Sequence, residues 1–158
     1  MNRQQLRTKL DTTWADLAAA CAGLADAEMT EPGVAGEWSV KDVLAHVMTW
    51  EEECLQYLPV IAAGGQALRY TTYGGMDAFN ALRTEQTRAL SLAALRAQMD
   101  AVHGRLLAYL ADVPEELIAR ETRFRHRLRM DTYHHYPQHA RMIREWRAAR
   151  AATAAPVG

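Results

Sequence analysis

The stretch from Ser39 to Ala63 reads SVKDVLAHVMTWEEECLQYLPVIAA, and its spacing decides the fold class. Ser39 is a good N-cap, and Asp42 stands three residues on, in the capping-box position. At 100° per residue, Val43, Val47, Trp50, Cys54, Tyr57, Leu58 and Ile61 fall within one narrow arc. That is a long amphipathic helix, closed at Ala63 before Gly64-Gly65.

The same period recurs on both sides of this helix. Upstream, from about Asn2 to Ala25, Leu6, Leu10, Trp14, Leu17, Cys21 and Leu24 form one stripe, followed by a break at Glu31-Pro32-Gly33. Downstream, the chain from Gly64 to Gly75 reads as a loop holding Tyr70, Thr71, Thr72 and Tyr73, and Asp77 is placed to cap a short helix from Phe79 to Leu90. Ser91 then opens a third long helix carrying Leu92, Leu95, Met99, Val102, Leu106 and Leu110, closed by Val113-Pro114. From Glu121 to Met130 arginines alternate with Phe124, His126, Leu128 and Met130, a period of two that predicts an extended crossover. The last helix is expected from about Asp131 to Arg150, with a frayed tail over residues 151–158. With no strand-rich block, repeat or linker, the chain is expected to be all-α: one four-helix-bundle domain over residues 1–150, with long loops between helices two and three and between three and four.

Composition narrows the function classes. The chain has 158 residues, 49% of them hydrophobic and 23% charged, enough apolar material for one core. The formal net charge of −1 argues against a general nucleic-acid binder, which needs a basic excess. No apolar run is long enough to cross a bilayer and the first residues lack an apolar signal core, so no membrane partner and a cytoplasmic location are expected. Cys21 and Cys54 belong to no C-x-x-C pair and read as small buried apolar residues. Nine arginines stand between Ala119 and Arg150 against Glu121, Asp131 and Glu145, a basic end expected to pair with the acidic face of the same bundle.

The chemistry lies in the histidines. On the last helix His135 and His139, four residues apart, share the inward arc with Thr132, Tyr136, Met142, Ile143 and Trp146, while His134 points the other way. Two imidazoles at that spacing can address one metal ion, and His46, at the edge of the second-helix stripe near Trp50 and Glu53, can supply the third. By spacing alone, hydrogen-bonded core histidines fit the same pattern. A His₃ set leaves a coordination position for water or substrate, and it requires neutral imidazoles, so the site is expected to weaken below about pH 6.5. Pro137 lies between the pair. In a helix interior it would cost about 3 kcal/mol, so a helix that starts near Asp131 and bends at Pro137 is expected; a helix starting at Pro137 would take His135 out of register. His103 reads as a core-edge residue or a further partner of the site, and His126 as exposed.

Trp38-Ser39-Val40-Lys41-Asp42-Val43-Leu44-Ala45-His46 resembles the W-[ST]-x-x-[DE]-x-x-x-H entry to helix two in the DinB-like (YfiT-like) superfamily of metal-dependent enzymes, and His135-x-x-x-His139 resembles its second motif. The helix spacing agrees along nearly the whole chain, including Asp77-Ala78-Phe79-Asn80 before helix three. The resemblance implies a four-helix bundle, a homodimer, and a divalent transition metal, zinc or nickel first, held by His46, His135 and His139. It further implies a thiol S-transferase or hydrolase in which a low-molecular-weight thiol or water attacks a small-molecule electrophile. Thr132-Tyr133-His134-His135-Tyr136-Pro137-Gln138-His139, followed by Arg144-Glu145-Trp146, also resembles the end of the colibactin self-resistance (cyclopropane hydrolase) branch, which opens reactive genotoxins without this metal. Two further functions therefore stand beside the first: a metal-independent protein that binds or hydrolyses a reactive natural product, and a non-catalytic stress-related binding protein. Trp50, Tyr57 and Tyr73, the last on the Tyr70–Tyr73 loop between paired glycines, are candidate pocket walls, and Glu53 is a candidate general base or orienting residue.

Overall fold

The computed structural model describes residues 1–154. The chain forms α1 (Arg3–Cys21), α2 (Asp26–Met29), α3 (Val40–Ala62), a 3₁₀ turn (Tyr70–Tyr73), α4 (Met76–Arg88), α5 (Leu92–Asp112), α6 (Glu115–Ala119), α7 (Arg123–Asp131) and α8 (His135–Ala154). Among the described residues there is no strand beyond an isolated Ala35–Trp38 bridge, so the fold is all-α as the periodicity predicts. No helix among them is long and apolar enough to cross a membrane.

The four long helices pair off: α1 lies on α8 and α3 on α5, while α4 and α7 both pack on α3. Helix α3 is thus the central rod, and most of its residues from Val40 to Leu58 are buried. Its start is fixed as the sequence dictates. The Asp42 amide donates to Ser39 Oγ at 3.2 Å, and the Ser39 amide donates to Asp42 Oδ2 at 2.9 Å. Ser91 caps α5 in the same way, accepting from the Ala94 amide at 3.1 Å. All six residues of the predicted α5 stripe are buried. Cys54 is buried and Cys21 partly so, both as free thiols. Pro59 falls in the last turn of α3 on the exposed side.

Three expectations are overturned. First, residues 123–131 are helical rather than extended. Thr122 caps them by accepting from the Arg125 amide at 3.0 Å, and Phe124 and Leu128, four apart, enter the core while His126 and Met130 stay exposed. Four-residue spacing is contained in a two-residue alternation, and here the longer period wins because only one side of the segment meets α3. Second, Asp77 does not cap the short helix. Helix α4 begins one residue earlier, at Met76, after Gly74 and Gly75, whose φ of +88° and +109° only glycine adopts without strain.

Third, the last helix does not start at Asp131, and Pro137 does not lie in its interior. Helix α7 ends at Asp131, the chain turns through Thr132 to His134, and α8 starts at His135. The Thr132 carbonyl accepts from the amides of both His135 (2.7 Å) and Tyr136 (2.9 Å), which ties the two helices across the turn. Pro137 is therefore the third residue of α8, in the first turn, where a missing amide costs less than in the helix interior. Its cost is reduced, and His135 keeps helical register with His139. Pro137→Ala should accordingly change stability by less than about 1 kcal/mol in urea unfolding, where an interior proline would give a gain of about 3 kcal/mol. Helix α8 continues to Ala154, where a frayed tail was expected from residue 151; residues 155–158 lie outside the described part of the chain.

The basic end is absorbed largely within the molecule. Arg144 pairs with Asp16 at 2.6 Å, Arg150 with Glu31, and Arg147 donates to the carbonyls of Ala20 and Ala22.

Candidate metal centre

Helix α3 delivers His46, and the first two turns of α8 deliver His135 and His139. The three side chains meet as the spacing predicts. His46 Nε2 lies 3.1 Å from His135 Nε2, His139 Nε2 lies 2.8 Å from His135 Nε2, and the three nitrogens are all within 4.8 Å of one another. Three nitrogens at about 2.0–2.1 Å from one ion, with angles between 90° and 109°, stand about 2.9–3.4 Å apart. The two spacings to His135, 3.1 and 2.8 Å, lie in or next to that range, and the third pair stays within 4.8 Å.

The donor set supports the same assignment. A neutral imidazole nitrogen carries either a proton or a lone pair. His135 Nε2 faces two nitrogens, and in either state it makes only one well-directed hydrogen bond. A cation accepts all three lone pairs together. His139 is buried and His135 partly buried.

Burial pushes all three imidazoles down: His46 to about 3, with His139 adding repulsion, His135 to about 2, with His139 and His46 adding repulsion, and His139 to about 4. The lone pairs stay free well below the pH 6.5 expected from sequence, so proton competition for the site is displaced toward pH 4. For the metal-free chain the sign is opposite in consequence. Unfolded histidines titrate near 6.5, so between about pH 6.5 and 4 the unfolded state binds more protons and stability falls as pH falls. The slope approaches about 1.4 kcal/mol per pH unit for each histidine. Thermal melts of chelator-treated protein should show Tm dropping across that window, and His135→Ala should flatten the decline.

Indole rings flank the cluster. Trp38 lies 5.1 Å from His46 between ring centroids, and Trp50 lies 6.2 Å from His46 and 6.4 Å from His135. Behind Trp50 come Tyr70 at 5.3 Å and Phe79 at 5.7 Å, so the 3₁₀ turn and α4 close this side. The structure separates the other expected wall residues. Tyr57 packs under the Arg127 guanidinium at 5.6 Å, and Tyr73, 42% exposed, packs on Phe79 and lines an outer cleft with Glu53, Arg83 and Arg105. Of the two loop tyrosines it is Tyr70 that reaches the histidine wall.

Glu53 is buried and accepts from the Tyr70 hydroxyl at 2.8 Å. The same hydroxyl accepts from Arg127 Nη2 at 2.8 Å, and Arg127 Nε donates to Asp131. Burial pushes the Asp131 carboxyl up to about 7, opposed by the charge of Arg127. Arg127 also lies within 5.8 Å of the Trp50, Tyr57 and Tyr70 ring centres. Sequence reading missed this hub because Arg127 sat among alternating arginines; its i, i+4 spacing to Asp131 was the available signal.

His103 does not join the cluster. It is buried against Trp14, ring on ring at 3.8 Å, and its Nδ1 pairs with Glu51 Oε1 at 2.7 Å. The Tyr136 hydroxyl donates to the same oxygen. His126 is exposed, as expected.

Residues 9–146 match the family model described as the DinB superfamily. No curated protein matches the sequence. Among solved structures, the chain is similar to one described as Sibling Lethal Factor Precursor - DfsB, with a TM-score of 0.78 at 12% identity, covering 95% of this chain and 97% of the other. It is similar to an uncharacterised protein from Escherichia coli UTI89, with a TM-score of 0.76 at 15% identity, covering 95% of each chain. It is also similar to colibactin self-resistance protein ClbS, solved in complex with a dsDNA, with a TM-score of 0.75 at 13% identity, covering 91% and 94%. At these identities the likeness is one of fold.

Proposed function

Given that the chain belongs to the DinB superfamily, we propose that His46, His135 and His139 hold one divalent transition metal, zinc or nickel, in an enzyme that directs a low-molecular-weight thiol or water onto a small electrophile. The observation that carries this reading is the convergence of three Nε2 atoms from two helices on one point. A bound ion would supply Lewis acidity, lowering the pKa of a coordinated water or thiol toward neutrality.

The protein's own groups do the rest. Low imidazole pKa values keep three lone pairs available at neutral pH. Trp38 and Trp50 pack apolar rings beside the histidines, surroundings that favour an uncharged or aromatic electrophile. Glu53, a candidate base in sequence, takes the orienting role here, holding Tyr70 against Trp50 through the phenol it accepts from. A homodimer belongs to this reading through the family.

The test compares zinc-loaded and chelator-stripped protein, purified without a histidine tag, with a small thiol and a soft alkylating agent such as monobromobimane. Zinc-dependent consumption above the uncatalysed rate is expected. Equal rates with and without zinc would overturn the metal-dependent reading. The fold likeness to ClbS, a self-resistance protein, favours one alternative, a metal-independent protein that consumes a reactive natural product. Stripped protein that still consumes a DNA-alkylating compound would support it. The dsDNA in the ClbS structure also bears on the expectation of no nucleic-acid partner, and a gel-shift titration with duplex DNA addresses it directly.

A further inference from the structure

Residues 66–73 form a strap between two glycine pairs, Gly64-Gly65 and Gly74-Gly75. Gly64 and Gly74, at φ +86° and +88°, make the turns at its two ends, where a side chain would strain the backbone. Little apolar burial fixes the strap. None of Tyr70 to Tyr73 is buried, Leu68 is exposed, and the backbone hydrogen bonds of the 3₁₀ turn close within the strap or onto Gly74 and Gly75. Among the described residues, one atom carries every hydrogen bond from residues 66–73 to α3 and α7. It is the Tyr70 hydroxyl oxygen, which donates to Glu53 Oε2 and accepts from Arg127 Nη2, each at 2.8 Å. Glu53 and Asp131, the two carboxylates of this network, are both buried. An apolar anchor would fix a permanent turn without that desolvation, so the network is weak glue but a directional catch. Trp50, itself buried, touches Tyr70 at 5.3 Å and the rings of His46 and His135 at 6.2 and 6.4 Å between centroids, so one indole links the strap to the histidines.

We propose that this strap is a hinged gate: released from Glu53 and Arg127, Tyr70 swings away on the glycine pairs and frees Trp50, opening a path for a small molecule to His46 and His135. The inference rests on the histidines being the functional site and needs no metal in them. Because the catch is a single hydroxyl, breaking two hydrogen bonds opens it, which is local rather than global unfolding. Arg123 donates to the carbonyls of Gly65 at 3.2 Å and Gly64 at 3.4 Å, holding the first hinge in place while the strap beyond it moves.

The probe is diethyl pyrocarbonate, which acylates accessible neutral imidazoles. It is applied to chelator-stripped protein at neutral pH, and modification is read histidine by histidine from peptide masses. Tyr70→Phe removes only the hydroxyl. It should speed acylation of His46 and His135 about ten-fold or more, the change in open population that follows losing a hydrogen bond to a charged group. The exposed His126 and His134 should react as in wild type, and the buried His103 should stay protected. Unchanged rates at His46 and His135 would overturn the proposal. So would a rise at His103 in step with them, which marks loosening of the whole fold. Glu53→Leu, which removes the acceptor at similar volume, should give the same pattern and decides alone if Tyr70→Phe does not fold. No metal takes part in the measurement, so a failure of zinc binding would remove the metal centre and leave this result standing.

Discussion

His135→Ala is expected to weaken zinc binding by two orders of magnitude or more while the chain stays folded. His135 Nε2 is the middle atom of the cluster, 3.1 Å from His46 Nε2 and 2.8 Å from His139 Nε2. Loss of an outer-shell partner of a metal ligand typically costs about 10–100-fold in affinity, and removing a ligand itself exceeds that. The fold should tolerate the change, because the substitution also removes crowding between imidazoles that burial already holds neutral. Tm of the metal-free variant should stay within a few degrees of wild type, and zinc should no longer raise it. Competition against a chromophoric chelator measures the affinity. His134→Ala is the control: the exposed neighbour on the other face should bind zinc as wild type does. Wild-type affinity in His135→Ala would remove this residue from the ligand set.

The largest stability effect is expected at Glu51. Its side chain is 0% exposed, and one oxygen accepts from the Tyr136 hydroxyl while pairing with His103 Nδ1 at 2.7 Å. These contacts join α3 to α5 and α8 in the middle of the core. Glu51→Ala leaves a buried phenol and a buried imidazole without their partner and opens a void beside them. Together these should cost about 3–5 kcal/mol. For a chain of this size that is a fall in Tm of roughly 8–16 °C. Glu51→Gln preserves the volume and an accepting oxygen and should cost roughly half as much. Urea unfolding of both variants separates the lost acceptor from the lost volume. If Glu51→Ala unfolds within 1 kcal/mol of wild type, the network is not what binds these helices together.

Much of the fold could be read from one dimension because its signals are local. Ser39 with Asp42, and Ser91 before Leu92, mark helix starts through hydrogen bonds that span three residues. The stripes of α3 and α5 bury the residues that their period selects. The histidine set was legible for the same reason at His135 and His139, and at His46 from its place at the edge of the α3 stripe as well as from the family motif. Failures occurred where tertiary packing chooses between two local readings. Phe124 and Leu128 satisfy both an alternating and a helical period, and only the surface of α3 selects the helix. Pro137 was misread because the break at Thr132, two carbonyl contacts wide, carries no glycine or proline to announce it. The wall behind Trp50 was only half visible. Tyr70 and Tyr73 are equivalent in sequence, and what distinguishes them is Arg127, 57 residues away from Tyr70 along the chain.

The most direct measurement is the zinc stoichiometry of tag-free, chelator-stripped wild-type protein, titrated calorimetrically and checked by elemental analysis after dialysis. One equivalent per chain, absent when His46, His135 and His139 are all replaced by alanine, is the predicted result. Substantially less than one equivalent, or one equivalent that survives the triple replacement, would contradict the assignment of a metal centre to these three imidazoles.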